Sequence, residues 1–237
     1  MKKINIDSLV IEITRRCNMH CEHCLRGDQQ DTDMQLVYLH SLFQKIKYVN
    51  CLTITGGEPS LNISGIRCIL SVAKLYNVRI GNFFVATNAK EITHDFIRVM
   101  IDLYLYCEEN EISQVAWSND EYHDNNPEAI KLLKALSFSN PNYPESNSRS
   151  GSVGIIDEGR ANENGLGGRI LNLYPFEIEE DNITESEIYL NCEGNIINGC
   201  DWSYESQEEK ERIICSVHNF SLEAVIKYNE KLKRSKL

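Results

Sequence analysis

The chain has 237 residues, 42% of them apolar and 25% charged, with a formal net charge of −11. That length and apolar content suit one large domain or one domain with a small appendage, and the acidic balance disfavours long nucleic acid as a partner, because phosphates repel it. No apolar run reaches the roughly 18 residues of a membrane span, and Asn5, Asp7 and Ser8 interrupt the apolar region that a secretory signal needs.

Nine cysteines with no secretory signal expected point to a reducing compartment, and the odd count excludes complete internal pairing. A cytoplasmic location is expected, and there clustered cysteines bind metal or do redox chemistry more often than they form disulfides. Arg15 and Arg16 are the one obvious seed of a basic patch.

In chain order, short β-branched and apolar runs alternate with segments of helical spacing. A strand over 8–14 ("SLVIEIT") precedes a helix over 34–48, with Thr32 and Asp33 as caps. A strand over 51–55 precedes a helix over 63–76 that follows Asn62, and a strand over 82–87 precedes a helix over 93–109. A strand over 114–118 precedes a helix over 126–137 with proline in its first turn. A polar stretch over 138–151 leads to a fifth strand over 152–156. Residues 187–200 read as a hairpin turning at Glu193-Gly194-Asn195, and 221–234 as an amphipathic closing helix with a basic end. This β-α-β-α succession implies an α/β fold with a parallel sheet and crossover helices, either a partial barrel or a doubly wound sheet.

Polar and glycine-rich clusters follow each strand. The first runs into Cys17, Cys21 and Cys24, and the second into "GGEP" at 56–59. The third ends in Thr87-Asn88, the fourth in Ser118-Asn119-Asp120 with His123 just beyond, and the fifth in "DEGRA" at 157–161. The carboxyl ends of parallel strands form one face, where α/β folds place their chemistry, so five clusters there imply one pocket.

Soft thiolates at Cys-x3-Cys-x2-Cys spacing suit zinc, copper(I) or an iron–sulfur cluster. Structural zinc wants a fourth ligand, for which His20 or His23 are the nearby choices, although His20 adjoins Cys21 and neighbours rarely share one tetrahedral ion. Three thiolates on a cubane cluster leave one iron open to substrate or cofactor.

"TRRCNMHCEHC" followed by "GGEP" resembles the cluster loop and second-strand motif of the radical S-adenosylmethionine superfamily, over roughly residues 8–160, with His23 at a position that is usually aromatic. The resemblance implies a partial (β/α)6 TIM-like barrel over 1–180, followed by a small extension over 181–237. Cys17, Cys21 and Cys24 then hold a [4Fe–4S] cluster whose fourth iron takes the amino and carboxylate groups of S-adenosylmethionine. Reductive cleavage gives a 5′-deoxyadenosyl radical that takes hydrogen from the substrate. By the same resemblance Gly56, Gly57, Glu58 and Pro59 approach the methionine end of the cofactor, Thr87 and Asn88 match the usual end of the third strand, and Ser118 and Asp120 match a motif near the ribose or carboxylate. Arg160 is placed to pair with the cofactor's carboxylate. The plain alternatives are a capping turn for Ser118 and Asp120 and a surface arginine for Arg160. No catalytic residue is identified beyond His123, a candidate acid, base or substrate contact; His40, His94 and His218 belong to no constellation.

The stretch 188–202 resembles the start of the auxiliary-cluster (SPASM or twitch) extension of peptide-modifying relatives, but only Cys192, Cys200 and Cys215 remain there, without a tight pair, so a complete SPASM domain is absent. Cys51, Cys68 and Cys107 lie in predicted regular elements and are assigned to the core. The function implied is an enzyme acting on a peptide or small metabolite, served by an electron donor such as flavodoxin or ferredoxin. The alternatives are a glycyl-radical-enzyme activase and a noncatalytic zinc- or cluster-binding α/β module, and the second leaves "GGEP" and the other rim motifs without a common purpose.

Overall fold

A computed structural model describes residues 3–142 and 154–235. In chain order its elements are β1 (Ile4–Glu12), α1 (Leu36–Phe43), β2 (Ile46–Thr55), α2 (Ile63–Tyr76), β3 (Arg79–Thr87), α3 (His94–Tyr106), β4 (Gln114–Ser118), α4 (Pro127–Leu133) and β5 (Ser139–Asn142). There follow α5 (Gly159–Glu163), β6 (Glu177–Glu179), β7 (Asn182–Leu190), β8 (Asn195–Asn198), β9 (Ile213–Ser216) and α6 (Leu222–Ser235).

The strands form one sheet in the order β5-β4-β3-β2-β1-β7-β8-β9, with β6 also on β7. From β5 through β1 to β7 every pairing is parallel; β8 and β9 continue antiparallel. The α/β fold with a mostly parallel sheet is thus present. Its sixth parallel strand, β7, borders β1 rather than β5, so the segment after 181 builds the same sheet.

The central strand β1 is buried on both faces, as parallel strands with crossover helices are. Leu9, Ile11 and Ile13 enter the main core beneath the helices, while Val10 packs with Tyr189, Ile197 and Trp202 on the other face. The helices pack in succession, α1 on α2, α2 on α3 and α3 on α4. The starts of α2, α3 and α4 are set by side-chain caps: Asn62 accepts from the N–H of Gly65, Thr93 from Phe96 and Asn126 from Glu128, whereas α1 begins after Gln35 with no side-chain cap, so Thr32 and Asp33 do not cap it.

Boundaries differ from the sequence reading: β1 starts at Ile4 rather than 8, β3 at Arg79 rather than 82, and α4 ends at Leu133 rather than 137. The helix expected over 34–48 ends at Phe43, and β2 starts at Ile46 rather than 51. Ile46 and Val49 are fully buried while Lys47 is exposed; this three-residue spacing suits a helix as well as a strand buried on both faces, and it masked the first half of β2. The fifth parallel strand is β5, drawn from the stretch read as a connection. It holds Pro141, which a sheet edge tolerates because no ladder N–H is missed there. The strand expected over 152–156 lies partly outside the described residues; within them Ile156 makes an isolated bridge to Arg169.

Candidate cofactor-binding site

The cysteine loop leaves β1 at its carboxyl end and is held by the backbone of the β2 loop. Gly57 N–H donates to Thr14 O at 2.9 Å and Glu58 N–H to Arg16 O at 2.8 Å. A Cβ on Gly56 would lie 2.3 Å from Thr14 O, and one on Gly57 2.4 Å from Arg16 O. The two glycines therefore let one loop seat against the other. The next residue, Glu58, is buried: Oε1 accepts from Ser60 N–H and the Thr87 hydroxyl, and Oε2 from Asn88 N–H. Burial raises its carboxyl above the usual range, and the bonds from Asn88, Ser60 and Thr87 partly offset this. Pro59 opens a short 3-10 turn capped by that same carboxylate. Asn88 in turn donates to Asn18 Oδ1 at 2.9 Å and faces Cys17 Sγ at 3.7 Å.

A cavity of about 310 Å³ opens among these ends. Cys17, Cys21 and Cys24 line it together with Gly56, Gly57, Glu58 and Pro59; Thr87, Asn88, Ser118 and His123 complete the rim. All three cysteines are half-buried. Burial, then the neighbouring Cys24 and Cys17, push the Cys21 thiol up to about 11. Burial is also the chief cause that raises Cys17. Metal binding must displace such protons.

The thiols fit a cluster better than a single ion. Sulfurs about 2.3 Å from one tetrahedral zinc lie about 3.8 Å apart. The three sulfurs here are not all within 4.8 Å of one another. Ligands to different irons are spaced more widely, and one wall of the cavity is left for a cofactor.

Two distant segments staple the cysteine loop from outside. Arg160, 6% exposed, donates Nε–H to Cys21 O at 2.9 Å, Nη1 to Asp28 Oδ1 at 2.8 Å and to His20 Nδ1 at 3.0 Å, and its backbone N–H to Cys24 O at 3.0 Å. Gly159 before it has φ +53°, and a Cβ there would meet Gly27 N at 2.4 Å. Arg160 thus serves the loop and does not line the cavity.

The second staple is a buried polar network. Glu12 accepts from Arg15 Nε at 2.8 Å and Cys192 N–H at 3.0 Å through Oε1, and from Tyr189 Oη at 2.5 Å and Gln207 Nε2 at 3.0 Å through Oε2. Burial alone would raise its carboxyl, but Arg26 and Arg15 outweigh that and hold it below the usual range. Arg15 also reaches Gln30 and Gln207, and Arg26 donates to Trp202 O at 2.6 Å. Arg15 is buried and Arg16 pairs with Asp33, so the two arginines do not seed a basic patch. A hollow of about 600 Å³ lies on the outer side of the loop, where Glu158 bonds Ser203 and Ser206 and Arg212 pairs with Glu209.

Asp120 does not line the cavity. It accepts from Tyr122 N–H and from His123 Nδ1 at 2.7 Å, and Asn126 rather than Asp120 caps α4. Among the described residues Cys192, Cys200 and Cys215 do not converge. Cys192 is buried and donates to Glu12 O, Cys200 contacts Asp201, and Cys215 lies on β9. Cys107 joins the core and Cys68 packs against it, while Cys51 is half-buried on β2. Sequence reasoning missed Glu12, Arg26, Tyr189, Gln207 and the cavity-lining Asp201. A glutamate inside an apolar strand, "SLVIEIT", was the available signal for Glu12.

Residues 10–118 match the family model described as a 4Fe-4S single cluster domain. No curated protein matches the chain significantly. The fold is similar to the solved structure "Native anSMEcpe with bound AdoMet and Cp18Cys peptide", with TM-score 0.60 and 11% identity, covering 96% of this chain and 82% of that one. The same protein with a Kp18Cys peptide aligns with TM-score 0.60 and 12% identity, again over 96% and 82%. "SeMet BtrN in an OPEN conformation" aligns with TM-score 0.48 and 12% identity over 98% and 87%.

Proposed function

We propose that this chain, similar in fold to the AdoMet-bound anSMEcpe structure and matched over residues 10–118 by a 4Fe-4S single cluster domain, is a radical S-adenosylmethionine enzyme that takes a hydrogen atom from a peptide or small metabolite. The observation that carries this is the meeting of three thiols with the ends of β2, β3 and β4 around one cavity. When bound there, a reduced [4Fe–4S] cluster and S-adenosylmethionine supply a 5′-deoxyadenosyl radical, chemistry that belongs to the cofactor.

The chain's own residues hold and shield. Cys17, Cys21 and Cys24 would ligate three irons, with Asn88 Nδ2 directed at the Cys17 sulfur. Gly56, Gly57, Glu58 and Pro59 form the cavity wall that the amino acid end of the cofactor would meet; Thr87, Asn88 and Ser118 continue it. Arg160 acts through the loop it fastens, and Asp120 through His123. The segment after 181 contributes β7 to the same sheet, Ile188 and Leu190 to the main core and Gln207 to the frame beneath the loop, so it braces the cysteine loop from within the core. The peptides in the anSMEcpe structures favour a peptide substrate, and an electron donor such as flavodoxin or ferredoxin would supply reduction in the cytoplasm.

The test is anaerobic. The chain is reconstituted with iron and sulfide, reduced, given S-adenosylmethionine and assayed for 5′-deoxyadenosine beside the Cys17→Ala/Cys21→Ala/Cys24→Ala variant. Cleavage by the parent alone is expected. A chain that takes up zinc but no cluster, or cleavage equal in both proteins, overturns the proposal.

A further inference from the structure

We propose that His23, Asp120 and His123 form a second, separate metal site for one divalent first-row ion bound through nitrogen and oxygen. Each residue offers one donor atom, and these atoms all lie within 4.8 Å of one another. They come from two segments far apart in sequence, the cysteine loop and the loop after β4, so the fold and not local spacing brings them together.

Each donor is placed. His123 Nδ1 lies 2.7 Å from Asp120 Oδ1, and the two side chains are 13% and 12% exposed. Adjacent donors on one ion at about 2.1 Å each are separated by roughly 3 Å, so this pair is already near coordination spacing. Asp120 Oδ1 is further fixed by Tyr122 N–H at 2.9 Å. The His23 ring lies against Tyr122 at 4.2 Å and edge-on to His123 at 5.3 Å. Its Nδ1 is buried and has no hydrogen-bond partner. A buried ring nitrogen without a partner is costly, and coordination of an ion through it would remove that cost.

Two imidazoles and one carboxylate suit a divalent iron, cobalt, manganese or zinc ion, a harder donor set than the thiols nearby. His23 and His123 both line the 310 Å³ cavity, so an ion there would stand in its wall with open coordination positions toward it. It would also tie the cysteine loop to the β4 rim.

Two titrations test this without any activity assay. In the full chain with Cys17→Ser, Cys21→Ser and Cys24→Ser, which removes competing thiolates, cobalt(II) binding is measured by calorimetry. One ion per chain is expected, weakened at least tenfold by adding His123→Ala or Asp120→Ala and unchanged by adding His94→Ala. The wild-type chain is titrated with manganese(II), which prefers oxygen and nitrogen over thiolate, so the readout stands if the serine variant fails to fold. Loss of the free-ion EPR signal is expected for wild type and not for His123→Ala. Equal binding by wild type and His123→Ala, or no ion bound, overturns the site.

Discussion

Arg160 Nε donates to the carbonyl oxygen of Cys21 at 2.9 Å, across 139 residues of chain. The bond satisfies backbone inside the cysteine loop with a charged, buried fork. Arg160→Lys keeps the charge and loses the fork. Each bond to the charged group is worth about 1.5–3 kcal/mol, and the contact with the exposed Asp28 adds little. We expect Arg160→Ala to lower unfolding free energy by about 2–3 kcal/mol in urea and to cut iron per chain after reconstitution, with Arg160→Lys in between. Full iron content in Arg160→Ala would show that the loop holds its shape alone.

The network around Glu12 predicts a larger effect. Glu12→Gln leaves Arg15 and Arg26 without their buried counter-charge, for an expected loss of about 3–5 kcal/mol. Tyr189→Phe removes the hydroxyl's bond to Glu12 and the longer one it accepts from Gln207, and should cost about 1–3 kcal/mol. Equal denaturation midpoints for Glu12→Gln and wild type would remove the network as a stabilising element.

The same residue sets an acid dependence. The folded Glu12 carboxyl titrates below its unfolded value, because Arg26 and Arg15 outweigh the opposing effect of burial. Its contribution is therefore complete above the unfolded pKa of about 4.3 and is lost as pH falls through the folded value. Wild type should lose stability over that acid window more steeply than Glu12→Gln. Parallel stability–pH curves for the two proteins would contradict this.

Gly57 sits where a methyl group would come within 2.4 Å of Arg16 O, a backbone atom that has no free path away. Gly57→Ala should cost about 1–3 kcal/mol and separate the loops, lowering iron uptake. Gly168→Ala, with nothing within 4 Å of its added Cβ, is the control and should stay within about 0.5 kcal/mol.

Thiol reactivity in the metal-free chain follows the protonation of Cys21. With its pKa pushed up to about 11 by burial and its cysteine neighbours, it is mostly protonated at neutral pH, and only the thiolate attacks. Alkylation of Cys21 by iodoacetamide, followed by peptide mass spectrometry, should keep accelerating to about pH 11. A plateau below pH 9 would contradict this.

The parts of the site carried by short motifs are legible in the amino-acid sequence. Cys17, Cys21 and Cys24 and the segment from Gly56 to Pro59 stand out by their spacing, and the fold gathers them around one cavity with Thr87, Asn88 and Ser118. Arg160 and Asp120 are also recognisable as residues of interest, but the fold gives both to protein partners, Cys21 and His123. No sequence signal distinguishes an arginine aimed at a cofactor from one aimed at a carbonyl, since both need the same guanidinium.

Periodicity determined the first four strand–helix units, though not the start of β2 or the place of β5, and glycine and cysteine spacing determined which strand ends matter, because these are local consequences of chain geometry. Only the tertiary structure decided that β7 borders β1, that Glu12 meets Tyr189 and Gln207, and that His23 meets Asp120 and His123. Those contacts join residues up to 195 positions apart. Such pairings are chosen by burial and charge across the whole sheet, and no short window of sequence contains both partners.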